Sequence, residues 1–146
     1  MSIQHQLHSI WEASASLKSV NLERSHNLQV LSIKLTFTYR KKLGISIDFK
    51  KNVLGDLGKQ KRGLTENVSG QFPWKHLVES EVVAAHCMTN VWDALDAVQL
   101  QFWNAKTAEG CGLQIELHDY LRFYLIAYEP QTMPGAFPVM TKAKRW

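Results

Sequence analysis

The stretch from Pro73 to Asn104 constrains this chain more than any other. Its apolar residues recur at Val78, Val82, Ala85, Met88, Trp92, Leu95, Val98 and Phe102, the three- and four-residue intervals of one helical face. Ala84, Cys87, Val91 and Ala94 lie beside that line, widening the apolar arc to about half the circumference, and Glu81 and Gln99 interrupt it. The spacing predicts one amphipathic helix over 73–104, with Pro73 in its first turn and Gly110–Gly112 stopping it.

Such a helix raises a size problem. At 1.5 Å per residue it spans roughly 48 Å, against a diameter of about 40 Å for a compact chain of this length. A projecting end would expose Trp92, Leu95, Leu100, Phe102 or Trp103, surface that another subunit usually covers. The expectation is therefore a homo-oligomer, with a dimer favoured. A kink near Asn90 would remove that need.

The rest of the chain supplies what the helix packs on. Ile3, Leu7, Ile10, Trp11 and Leu17 predict a short N-terminal helix within 3–19, and the polar run Asn21–Asn27 reads as a connector. From Leu31 the period becomes two. Leu31, Ile33, Leu35, Phe37 and Tyr39 alternate with polar residues and, after a tight link, so do Ile45, Ile47 and Phe49, which predicts a β-hairpin. Residues 52–72 hold Gly55, Gly58, Gly63 and Gly70 and little periodicity, and read as a long mobile loop. Leu113, Ile115, Leu117, Leu121, Phe123 and Leu125 predict one bent strand or two joined near His118 and Asp119, in preference to a helix, which the four-residue recurrence of Leu117, Leu121 and Leu125 also allows. The expected architecture is α+β: N-terminal helix, hairpin, long helix and one or two C-terminal strands, with an antiparallel sheet packed on the long helix. Residues 1–128 form a single domain in this reading, and 129–146, with three prolines and a basic end, an extended arm.

Composition excludes more than it selects. At 146 residues, 45% hydrophobic and 21% charged, the chain is an ordinary globular protein rather than a disordered or fibrous one. Residues 1–12 lack the basic start and apolar core of a signal peptide, and no apolar run approaches the ~20 residues of a membrane-spanning helix. Cys87 and Cys111 have no CxxC spacing and are too few for a disulfide scaffold. A cytoplasmic protein with reduced thiols and no membrane partner is expected.

Charge is unevenly placed. Arg40, Lys41, Lys42, Lys50, Lys51, Lys59, Lys61 and Arg62 stand against only Asp48 and Asp56. Arg40, Lys41, Lys42, Lys59, Lys61 and Arg62, at a hairpin tip and in a glycine-rich loop, are candidate ligands for phosphates, with Tyr39 or Phe72 available to stack on unpaired bases. No nucleic-acid-binding motif accompanies them, and Gly58-Lys59 departs from the GxxxxGK[ST] spacing of a nucleotide-binding loop.

Chemistry-bearing residues are few. On the predicted helix Glu79, His86, Asn90 and Asp93 fall nearly in one line, a spacing that could bring a carboxylate, an imidazole and an amide onto one ligand or metal ion. The plainer reading of the same line is a solvated helix side. Cys111, between two glycines, is a candidate nucleophile that lacks an evident base. Tyr120, Arg122 and Tyr124 would share one strand face and wall a ligand pocket. No metal or other cofactor is expected. The function these features favour is a small non-catalytic interaction or ligand-binding protein. A nucleic-acid-binding accessory protein using 40–62, and an enzyme using Glu79, His86 and Asp93, stand behind it.

Overall fold

The computed structural model describes residues 2–27, 29–40, 42–50, 64–92, 94–117, 121–126 and 140–144. Ser2 caps helix α1 (Ile3–Glu12), its hydroxyl accepting from the His5 amide at 3.2 Å, and Leu7 and Ile10 on one face are fully buried. Ser14, at φ 49°, turns the chain out of the helix. The region expected as late helix and connector is instead strand β1 (Ser16–Arg24). Then come β2 (Val30–Tyr39) and β3 (Lys42–Lys50), the predicted hairpin, with Ile33 opposite Phe49 and Leu35 opposite Ile47. Residues 51–63 lie outside the described set, so most of the predicted long loop does too. Its end contributes β4 (Thr65–Asn67), paired with β1.

The α+β expectation fails at its centre, because residues 73–104 are not a helix. Trp74–His76 make a single 3-10 turn, Glu81–Thr89 form β5, and Leu95–Asn104 form β6 antiparallel to it. The protein is mostly β, with α1 its one α-helix among the described residues. The error has a specific physical source. A β-bulge inserts one residue and lengthens the spacing of inward side chains from two to three. Register shifts between Val82 and Ala84 and between Met88 and Thr89 do this on β5 and β6, turning Val82–Ala85 and Leu95–Val98 into apparent helical steps. A third bulge, between Leu17 and Ser19, does the same for Leu17 and Val20 in β1. Met88 and Trp92, which a helix would bury with the others, are half-buried and exposed.

After β6 the chain turns into β7 (Glu109–Glu116), which contains the glycines expected to stop a helix, and then β8 (Arg122–Ile126). The two pair antiparallel, so the C-terminal alternation is two strands. Within the segment expected as an arm, β9 (Met140–Lys144) lies parallel to β5, Ala85 opposite Met140 and Thr89 opposite Lys144.

The sheet runs β3-β2-β1-β5-β6-β7-β8 and is nearly split in the middle. β1 and β5 share one register pair, Ser16 with Glu81. Around it the Leu17 amide donates to Ser80 O (3.0 Å), the Glu79 amide to Leu17 O (2.7 Å) and the Val82 amide to Ala15 O (2.9 Å). Beyond that seam β4 takes the edge of β1 and β9 the edge of β5. Two wings result, β3-β2-β1-β4 and β9-β5-β6-β7-β8. Their apolar faces share one core, with Leu17, Leu35, Phe37 and Phe49 from the first and Ala85, Leu100, Phe102 and Leu113 from the second. α1 packs on β3 and β5, and its Trp11 indole donates to Val83 O at 3.0 Å. That bond satisfies a carbonyl at a bulge, where ladder pairing is disturbed.

Candidate functional site

The connection from Val68 to Ser80 crosses from the first wing to the second and builds one wall of a groove. Trp74 anchors it, almost wholly buried with its ring 4.6 Å from that of Phe123 on β8. Leu77 is buried beside it. The backbone around them is tied into turns, Lys75 N to Gln71 O (2.9 Å), Leu77 N to Trp74 O (2.9 Å) and Ser80 N to Leu77 O (3.0 Å). With Trp74 and Leu77 turned inward, Phe72, Lys75 and His76 face outward, and the Phe72 ring stands edge-on to the His76 imidazole at 5.5 Å. Phe72 is 70% exposed.

The opposite wall is the β6–β7 turn. Asn104 Oδ1 accepts from the amides of Lys106 (3.0 Å) and Thr107 (3.4 Å), and Ala108 adopts φ 55° to bring the chain back at Glu109. Between the walls lies a groove of about 410 Å3, lined by Phe72, Lys75, His76 and Ser80 on one side and by Asn104, Thr107, Glu109, Gly110 and Cys111 on the other, with Leu125 from β8. Its size lies in the range of small-ligand sites, and its mixed aromatic, cationic and acidic lining suits an amphiphilic guest.

Cys111 is the one predicted catalytic candidate in this groove. Its thiol is half-buried and makes a long contact, 3.7 Å, to Gly112 O. Burial raises its pKa, so the thiol stays protonated near neutrality and is a poor nucleophile. The other described candidates do not line it. Glu79, at φ 72°, is exposed and faces Lys106 at 3.8 Å. Asn90 sits in the β5–β6 turn, where its Oδ1 accepts from the amides of Trp92 and Ala94. His86 is on β5, and Asp93, His118, Asp119 and Tyr120 lie outside the described residues. The single line of ligands expected on a helix is therefore not formed by Glu79, His86 and Asn90. Among the described residues no three His, Cys, Asp or Glu side chains gather as a metal site.

His86 belongs instead to a polar row on the outer face of the second wing. Register places His86, Gln99, Gln114 and Tyr124 side by side across four strands. Gln99 Nε2 donates to Gln114 Oε1 at 2.7 Å and Gln114 Nε2 to the Tyr124 hydroxyl at 2.6 Å. Gln114 is only 7% exposed, and burial lowers the His86 pKa. Arg122, opposite Glu116, shares this face with Tyr124, as the strand reading expected of that pair. The row is a well-satisfied structural ladder rather than an open pocket.

Compared with protein-family models, with characterised proteins and with solved structures, the chain matches none. Its function must be argued from its own residues. Of the predicted basic cluster, Lys41, Lys59, Lys61 and Arg62 lie outside the described residues, and Lys42 opens β3 opposite Tyr39. Arg40, at φ 50°, is exposed at the β2–β3 turn with its guanidinium 5.0 Å from the centre of the Tyr39 ring. Sequence reasoning singled out Phe72 only as a ring to stack on bases and missed Lys75, His76 and Glu109, because only the crossing of the Val68–Ser80 segment over β7 and β8 brings them together. No helix among the described residues is long and apolar enough to cross a membrane.

Proposed function

We propose that this protein is a non-catalytic binding module whose recognition site is the groove between Phe72–Ser80 and the β6–β7 turn. The observation that carries the reading is the lining itself: an exposed aromatic ring, a cation and a carboxylate around a concavity floored by Gly110, Cys111 and Leu125. Phe72 and Leu125 offer apolar contact and Lys75, His76 and Glu109 orient polar groups, while Cys111 is held as a thiol. A rigid guest of one or two rings with a polar tip fits that pattern. The two free cysteines suit a cytoplasmic setting, where thiols stay reduced.

Isothermal titration with N-acetyl-tryptophanamide tests the reading. Binding in the micromolar to millimolar range is expected, weakened at least ~5-fold, about 1 kcal/mol, by Phe72→Ala, since an exposed aromatic side chain contributes on that scale to a contact. No heat of binding, or equal binding by Phe72→Ala, would contradict it.

A second reading rests on the β2–β3 turn, where exposed Arg40 stacked on Tyr39 offers a charge and a π-face to an unpaired nucleotide. Fluorescence anisotropy with labelled single-stranded RNA at low and near-physiological salt separates the two. Salt-sensitive binding lost in Arg40→Ser supports this surface, and salt-independent silence removes it.

A further inference from the structure

The groove holds two opposite charges that do not pair with each other. Lys75 stands on the Val68–Ser80 wall and Glu109 on the β6–β7 wall, both exposed, and among the described residues neither forms an ion pair. Glu79 and Lys106, from the same two segments, do pair, at 3.8 Å. A guest of one sign would be attracted by one wall and repelled by the other. A guest that carries both signs is met favourably by both.

A buried hydroxyl stands on the Lys75 wall. Ser80 is only 2% exposed. Its amide donates to Leu77 O and its carbonyl accepts from the Leu17 amide, both at 3.0 Å, so the hydroxyl is the polar group it brings to the groove. Among the described residues that hydroxyl has no hydrogen-bond partner, and the one side-chain oxygen both sealed from solvent and unbonded is Thr89 Oγ1 on β5. Ser80 Oγ therefore opens onto the groove. Buried polar groups are partnered as a rule, and here the partner that fits is an acceptor on a guest. A carboxylate accepts from Ser80 Oγ and from the Lys75 ammonium together, as charge-assisted bonds. Across the groove Asn104 Oδ1 is committed to the Lys106 and Thr107 amides, which leaves the Glu109 carboxylate as the charged acceptor for an ammonium.

We infer that the groove recognises a small zwitterion, an α-amino acid with an apolar side chain. The inference rests on the groove being a recognition site and adds the chemical class of its guest. The guest's carboxylate goes to Lys75 and Ser80 and its ammonium to Glu109, while its side chain lies on the exposed ring of Phe72 and on Leu125. Size agrees. The groove's volume of about 410 Å3 is near the lower end of the roughly 300–1,000 Å3 of small-ligand sites, which suits a single amino acid.

Isothermal titration with four guests that share an indole is the test: L-tryptophan with both charges, tryptamine with the cation alone, indole-3-propionate with the anion alone and N-acetyl-tryptophanamide with neither. L-tryptophan is expected to bind ~10-fold more tightly than N-acetyl-tryptophanamide, each exposed charge contact contributing roughly 3-fold. Glu109→Gln and Lys75→Met, both at exposed positions, each weaken L-tryptophan about 3-fold. The first also removes the advantage of tryptamine over N-acetyl-tryptophanamide, and the second that of indole-3-propionate. Ser80→Ala, which deletes a hydroxyl without adding volume, weakens the two carboxylate guests. L-tryptophan binding no more tightly than N-acetyl-tryptophanamide, or an L-tryptophan affinity unaltered by Glu109→Gln and by Lys75→Met, overturns the inference. In that event N-acetyl-tryptophanamide binding that Phe72→Ala weakens keeps the groove as a recognition site, whereas silence from all four guests takes both readings down.

Discussion

Single residues set the shape of the second wing, and two of them lend themselves to direct tests. Gly112 on β7 faces Ile126 on β8, and a Cβ there would overlap the Ile126 side chain and come within 3.1 Å of its carbonyl oxygen. Gly112→Ala should therefore cost about 1–3 kcal/mol in chemical denaturation, as overpacking does, despite alanine's more favourable backbone entropy. His86 gives a pH signature. Its pKa is lowered by burial from the ordinary 6.5, so below about pH 6.5 the unfolded chain takes up a proton that the folded chain resists. Folded stability then falls with pH until the folded pKa is passed. Replacing His86 with Gln, which keeps a polar partner beside Gln99, should flatten that acid decline relative to wild type. Denaturation midpoints measured in steps from about pH 7.5 downward check it, and parallel curves for the two proteins would refute the assignment.

At the scale of elements, the sequence spoke clearly where alternation ran unbroken. β2 keeps Ile33, Leu35 and Phe37 on one face without interruption, and its hairpin with β3 was legible. β7 and β8 were legible as strands for the same reason. β1, β5 and β6 were not, because each carries a bulge within its inward apolar run that replaces one two-residue step by three and reads as a helix. The bulges of β2 and β3 fall outside Ile33–Phe37 and Ile47–Phe49. One local signal pointed the other way. Asn90, followed by Val91, Trp92 and Asp93, is a turn former whose short side chain closes on the backbone two and four residues on. Asn90→Ala removes three side-chain hydrogen bonds, two of them from the Trp92 and Ala94 amides, and should cost about 1 kcal/mol. Hydrogen exchange should accelerate at the Trp92 and Ala94 amides and stay unchanged in β1 and β2, a pattern a 73–104 helix would not produce. The groove was illegible for a different reason. Of its lining only Phe72 and Cys111 drew notice in the sequence, and for other roles, since proximity between Lys75, His76 and Glu109 is created by a crossover rather than by spacing.

For the whole molecule, the near-split sheet matters most. A few hydrogen bonds join Ala15 and Leu17 to Glu79, Ser80 and Val82, while α1 and one shared core hold the wings together. The second wing thereby presents an exposed tryptophan at one end and a lined groove at the other. The expectation of self-association drawn from a projecting helix lost its premise with the helix. Trp92, part of the same projecting end, is nevertheless exposed, on the β5–β6 turn.

The most direct test of the groove as the recognition site is an amide chemical-shift map of the 15N-labelled chain titrated with N-acetyl-tryptophanamide. Shifts are predicted at Phe72, at 74–76 and at Glu109–Cys111, with Gln99 and Gln114 unmoved. Perturbation centred on the outer row of Gln99, Gln114 and Tyr124, with the groove silent, would contradict the account and make that polar face the interface.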